Sequence, residues 1–277
     1  MLASIHKLRH TVATGVLAGV TALGVAACSI SQREEIELGR QYAAEINRQL
    51  PLVDDPTVVR YVNLLGDRIA RQGRRDLDYT FYVVNTDAVN AFAVPGGFIY
   101  VNRGLIERTA NLSELAGVLA HEIAHVEERH GIEQLERMQR ANIGLSLAYI
   151  LLGRTPGTLE RAGVEIAGAA IFAGYSRAAE DEADNIAVRL LVGSGIDPTG
   201  LVTFFKKLLE ERQRRPTVVE QWFSTHPLTE ERLARVREQI RQIPESQLRG
   251  LTVDSEQYEA MKARLRRYPA PPAQFRR

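Results

Sequence analysis

His121-Glu122-Ile123-Ala124-His125 sets two imidazoles four residues apart with a carboxylate between them. An α-helix turns by about 100° per residue, so positions four apart lie on nearly one face. Two imidazoles placed that way grip one Zn²⁺, and Glu122 is near enough to take a proton from a water at the metal. The chemistry this predicts is metal-assisted hydrolysis. Flanking residues support the helix. Asn111 or Ser113 suits its N-cap, and Glu114 suits the positive end of its dipole. Leu115, Val118, Leu119 and Ile123 recur at three- and four-residue intervals, the mark of a buried stripe. Gly131 is the expected place for the helix to stop or bend.

Zinc needs a third protein ligand. His130 stands five residues past His125, which on a continuous helix turns it about 140° from the ligand face. It reads as a surface or helix-end histidine. A third histidine ten residues after the first is ruled out, because Gly131 occupies that place and Glu128 replaces the glycine such a motif needs. A carboxylate from a second helix is the remaining common solution. Tyr175 to Asp184, running on into Ile186, Ala187, Leu190 and Leu191 and ended by Gly193 and Gly195, provides that helix. Glu180 and Asp184 share one of its faces. One of them can bind metal while the other hydrogen-bonds a ligand imidazole. Asp181 and Glu182 point elsewhere and read as solvated charge.

With these residues in place the chain resembles the HtpX/BepA-like gluzincin zinc metallopeptidases, relatives of the type 1 CAAX prenyl proteases. The resemblance is carried by Asn90 to Gly97, by His121 to His125, by Ser176-Arg177 through Asp184, and by Ser224-Thr225-His226-Pro227, and spans roughly residues 34 to 243. It implies an α+β, mainly helical, zincin-like metallopeptidase domain with a small β-sheet beside the active-site helix. It implies one Zn²⁺ per chain on His121, His125 and Glu180, with Glu122 as base and Asp184 beside a ligand imidazole. It also implies that His226 reaches the site from a later loop. There the imidazole either donates to the oxyanion formed as a peptide carbonyl is attacked, or occupies the open metal position in a resting state. Leu112 stands where the family often has an acidic residue, and Glu114 preserves an acidic first turn.

Substrate binding has its own signal. Ala91 to Val94 and Phe98 to Val101 are short β-type runs separated by Pro95-Gly96-Gly97, a hairpin pattern. Gly97, Phe98, Ile99, Tyr100 and Val101 are the expected substrate-binding segment, a strand whose free edge adds the peptide as a further strand; an interior strand of a small sheet is the alternative. The family is known for such an edge.

The amino terminus bears on location. Lys7 and Arg9 precede an uncharged run from Thr11 to Ala27, which ends in Val25-Ala26-Ala27-Cys28. A basic start, an apolar core and small residues before a cut form a secretory leader, and this ending resembles a bacterial lipoprotein signal with Cys28 as the lipidated residue. Cys28 is the only cysteine, so no intrachain disulfide exists. Ser29 resembles the sorting preference for the outer membrane. An outer-membrane lipoprotein facing the periplasm is the expectation, with an inner-membrane anchor as the alternative.

Without residues 1–27 the chain carries 33 basic and 34 acidic residues, which removes the electrostatic case for nucleic acid. At 45% hydrophobic and 25% charged, it has the composition of an ordinary globular protein. Helices are expected at Glu34 to Leu50 and Val58 to Gln72, and a strand at Tyr79 to Val84. Ile143 to Leu152 and Val164 to Phe172 are apolar runs too short or too interrupted to span a membrane, and are expected to pack as core around a turn at Gly153 to Gly157. Pro198 to Arg214 and Pro227 to Ile243 read as helices, the first capped by Asp197, with His226 just before the start of the second. Residues 28–243 form the metallopeptidase domain. Residues 244–277 hold a short helix at Ser255 to Arg267 and a Pro-rich tail expected to be disordered, too short for a helical-repeat module. The expected substrates are unfolded or misassembled cell-envelope proteins. A non-catalytic chaperone on the same fold and a processing protease for one partner are the alternatives.

Overall fold

A helix buried around its whole circumference organises the molecule. The computed structural model describes residues 30–140 and 174–276, and in it α4 (Leu112–Glu127) has every residue buried. Around it lie, in chain order, α1 (Gln32–Gln49), α2 (Pro56–Ala70), β1 (Thr80–Val84), β2 (Ala91–Val94), β3 (Phe98–Asn102) and α3 (Arg103–Arg108). After it come α5 (His130–Arg140), α6 (Arg177–Gly193), α7 (Thr199–Arg214), α8 (Pro216–Thr225), α9 (Glu230–Arg241), α10 (Glu245–Leu248) and α11 (Glu256–Arg267). The described protein is mainly helical with one small mixed sheet, as the fold class anticipated. None of its described helices is long and apolar enough to cross a membrane.

Local chemistry sets the helix ends. Ser31 and Glu34 form a capping box at the start of α1, Asp55 accepts from the Thr57 and Val58 amides ahead of α2, and Pro56 opens that helix. Asn111 caps α4 by accepting from the Glu114 amide, and Ser176 caps α6 by accepting from that of Ala179. The stop of α4 falls before the expected Gly131: Arg129 takes φ +58°, a left-handed conformation that ends the helix and starts α5.

The sheet has strand order β1-β3-β2, with β1 parallel and β2 antiparallel to β3. The hairpin at Pro95-Gly96-Gly97 is present, and both glycines have positive φ. The expectation that Gly97, Phe98, Ile99, Tyr100 and Val101 offer a free edge is corrected. β3 is the central strand, paired with β1 from Thr80↔Phe98 to Val84↔Asn102 and with β2 from Ala91↔Val101 to Val94↔Phe98. A hairpin signal alone does not reveal that an earlier strand takes the second edge of its partner. The edge nearest α4 belongs to β2.

α6 and α7 pack along α4, and two glycines permit the approach of α7. A Cβ on Gly117 would stand 2.9 Å from Leu201 Cα, and one on Gly200 would stand 2.2 Å from the Ser113 backbone. Tyr258, Met261 and Leu265 of α11 join the same core. The tail after α11 is not disordered, as its composition suggested. Arg103 donates to the Tyr268 and Pro269 carbonyls, and the Phe275 carbonyl accepts from the Asp87 amide and Thr86 Oγ1. The expected amino-terminal leader with Cys28, and the apolar runs at 143–152 and 164–172, lie outside the described residues.

Candidate metal centre

α4 presents His121 and His125 from one face, as their spacing requires, and their Nε2 atoms stand 3.1 Å apart. α6 brings Glu180 across from them: its Oε2 lies 3.5 Å from His121 Nε2 and its Oε1 lies 3.5 Å from His125 Nε2. The fourth donor is His226. Its Nδ1 is 3.0 Å from Glu180 Oε1 and 3.4 Å from His121 Nε2. All four side chains are buried, and their donor atoms lie within 4.8 Å of one another.

This set fits zinc. Nitrogen ligands bind Zn²⁺ at about 2.0–2.1 Å, so the corners of a tetrahedral site stand about 3.3 Å apart. Five separations among the donors, 3.0 to 3.5 Å, match that edge. Charge agrees as well. Glu122, Glu180 and Asp184 are buried around the cluster with one guanidinium, Arg232, leaving two negative charges for a divalent cation to balance.

Partners on the far side of each ligand fix its orientation. His121 Nδ1 stands 3.0 Å from Asp184 Oδ1, which leaves Nε2 turned inward. Arg232 grips Asp184 through Nε at 2.5 Å and a terminal nitrogen at 2.8 Å, and also pairs with Glu180. Burial pulls the His121 pKa down, but Asp184 and Glu180 outweigh it and carry the value to about 9 in the absence of metal. Burial opposes ionisation of Glu180 too, yet His226 and Arg232 hold it well below the usual carboxylate range. For His125 burial prevails, and the imidazole is kept neutral. Its ring lies flat against Tyr175, with centroids 3.9 Å apart and planes at 14°.

Glu122 is different. Neither of its oxygens has a hydrogen-bond partner among the described residues, although His226 Nε2 lies 3.3 Å away. Burial raises its pKa, the direction that suits a carboxylate meant to accept and return a proton. Between the outer edge of β2 and His125 lies a cavity of about 10 Å³, room for about one water, lined by Ala93, Val94, Pro95 and Tyr175 among others.

His121, Glu122, His125, Glu180, Asp184 and His226 thus come together, but three features escape the sequence reading. His226 is not at a helix start: it is the C-cap of α8, with φ −124° and ψ 87°, because Pro227 bars the helical conformation from the residue before it. Arg232 looked like one of many charges on a solvated helix, yet it is only 2% exposed. His130 does stand at a helix end, as the first residue of α5, but not at the surface. It is 3% exposed, and its Nδ1 lies 2.9 Å from His125 Nδ1.

Comparison with known proteins agrees with this geometry. Residues 57–240 match the model of peptidase family M48. The chain is 32% identical to the beta-barrel assembly-enhancing protease of Escherichia coli (strain K12) over 254 residues, 86% of this chain and 50% of that protein. It is 30% identical to metalloprotease YcaL of the same organism, over 74% of this chain and 76% of the relative, and 30% identical to metalloprotease LoiP, over 64% and 67%. The chain spans about half the length of the beta-barrel assembly-enhancing proteases it matches.

Proposed function

Because the chain belongs to peptidase family M48 and keeps a buried His-His-Glu-His zinc site, we propose that it is an endopeptidase of the cell envelope, cutting unfolded or misassembled proteins there. The observation that carries the hydrolytic reading is Glu122, a buried carboxylate beside the donor ring whose oxygens have no hydrogen-bond partner among the described residues. Bound zinc supplies Lewis acidity, polarising a scissile carbonyl and making a water acidic enough to attack. Glu122 takes that proton and returns it to the leaving amine. Asp184 and Arg232 hold His121 and Glu180 in place while charge develops.

His226 has a blocking role in this reading. Its Nδ1 completes the donor ring with Glu180, and its Nε2 faces Glu122. It therefore fills the place an attacking water needs, and the turn Thr225–Pro227 must move before cleavage. That favours the resting-ligand role over the oxyanion donor. The peptide then enters beside β2, where Ala91 and Ala93 alternate with the residues bonded to β3, and adds as a strand. This reads backbone more than side chain, which suits unfolded substrates.

Location rests on the leader: the basic start, the apolar run and Val25-Ala26-Ala27-Cys28 support a lipid anchor at Cys28 in the outer membrane, facing the periplasm. Its test is Cys28→Ala, which releases the protein from membranes if the anchor is a lipid. The test of catalysis is Glu122→Gln. The variant is expected to bind zinc as the wild type does and to lose cleavage of an unfolded model protein by at least about 1000-fold. Cleavage at the wild-type rate would refute the assignment. A wild type that held such chains without cutting them would favour a chaperone.

A further inference from the structure

The two α4 imidazoles are not supported alike. His121 turns its outer nitrogen to Asp184, a carboxylate on α6. His125 turns its own to another imidazole: His125 Nδ1 and His130 Nδ1 are 2.9 Å apart, and both rings are buried. Beyond it, His130 Nε2 lies 3.4 Å from Glu182 Oε2, again on α6. Two facing Nδ1 atoms make a hydrogen bond only if one is protonated and the other is not.

The arrangement decides which. His125 Nε2 belongs to the donor set, so its lone pair is directed at the metal and its proton sits on Nδ1. His130 Nδ1 must then be the acceptor. A neutral imidazole with a free Nδ1 keeps its proton on Nε2, the atom that faces the Glu182 carboxylate. We propose that His130 is the positioning residue for His125, accepting at Nδ1 from the ligand and donating from Nε2 to Glu182. α6 then serves both α4 ligands as well as supplying one of its own. Glu180 enters the donor set, Asp184 orients His121 directly, and Glu182 orients His125 through His130.

The backbone shows what brings His130 there. On a continuous helix it would face away from the ligands. Arg129, the only described non-glycine residue with positive φ, breaks the helix and returns the chain so that His130 opens α5 beneath His125. A left-handed conformation is disfavoured for arginine, and this one is held by its Nε, 2.8 Å from buried Glu35. Strain at that position is accounted for by the placement it produces.

The proposal rests on the zinc site and not on the identity of the substrate, so the Glu122→Gln result and this one fail separately. Zinc affinity of the full chain, measured by chelator competition, is the main readout. His130→Phe keeps a ring but removes the acceptor, and is expected to weaken zinc binding about 10- to 100-fold. His130→Asn places an amide oxygen close to the position of Nδ1 and is expected to restore most of the affinity. Unchanged affinity in His130→Phe overturns the proposal. So does an equal loss in both variants while each melts like the wild type without metal, since a restored acceptor then restores no affinity. Nitrogen-resolved NMR of the zinc-loaded wild type needs no variant. It is expected to show His130 protonated at Nε2 alone, and a proton on His130 Nδ1 overturns the proposal.

Discussion

Arg232→Met removes the single guanidinium that, among the described residues, is buried against the zinc-site carboxylates, while keeping much of the side chain's length. In the wild type, Arg232 balances Asp184 through two contacts, pairs with Glu180, donates to the Pro227 carbonyl at 3.2 Å and lies over the Phe205 ring. With zinc bound, the three carboxylates are offset by the metal and by Arg232. Methionine leaves one buried negative charge without a counterpart. Breaking a buried ion pair by deleting one partner costs about 3–5 kcal/mol, a large fraction of the roughly 5–15 kcal/mol that holds a domain folded. The assay is urea unfolding with zinc at fixed excess, so that metal linkage is the same for both proteins. Asp184→Asn combined with Arg232→Met is expected to cost about 2 kcal/mol less than the two single losses together, since the pair acts as a unit. A loss below about 1 kcal/mol for Arg232→Met with zinc present would show that the guanidinium does not neutralise the site.

Other consequences are open to measurement. His226→Ala, by vacating the place beside Glu180 and Glu122, is expected to raise turnover of a short flexible peptide at saturating zinc, and unchanged turnover would mean that His226 does not block the site. Gly39→Ala puts a methyl 1.9 Å from the Pro95 carbonyl oxygen, and is expected to cost about 1–3 kcal/mol in thermal or urea unfolding. The metal-free protein should lose stability as pH rises. His121 has a folded pKa raised to about 9, so its contribution is complete below the ordinary value of 6.5 and lost on passing through 9. A flat stability between pH 6.5 and 9 would contradict the His121–Asp184 pairing.

Much of this site is visible in the chain because local spacing determines it. His121 and His125 had to share a face once α4 was a helix, and Glu180 and Asp184 had to share one on α6. The caps at Asn111 and Ser176 were equally local. What the sequence hid depends on the chain reversing direction or meeting a distant strand. A single backbone rotation at Arg129 moved His130 from an apparent surface to the underside of His125. The pairing of β1 with β3 is non-local, and it took away the edge that the hairpin appeared to offer. Arg232 failed to stand out because nothing in a run of Glu and Arg on α9 tells which guanidinium faces inward.

The donor ring also dictates when the protein becomes able to act. Its two α4 imidazoles are made early, but Glu180 follows far behind and His226 lies 105 positions beyond His121. A growing chain holding only the imidazole pair is a weak chelator, and Arg232, which secures the carboxylates, emerges later still. Zinc capture therefore waits for long-range closure of the fold, a slow class of folding event. A partly synthesised or unfolded copy is consequently an inert protease, unable to cut its neighbours or itself before its own structure is complete.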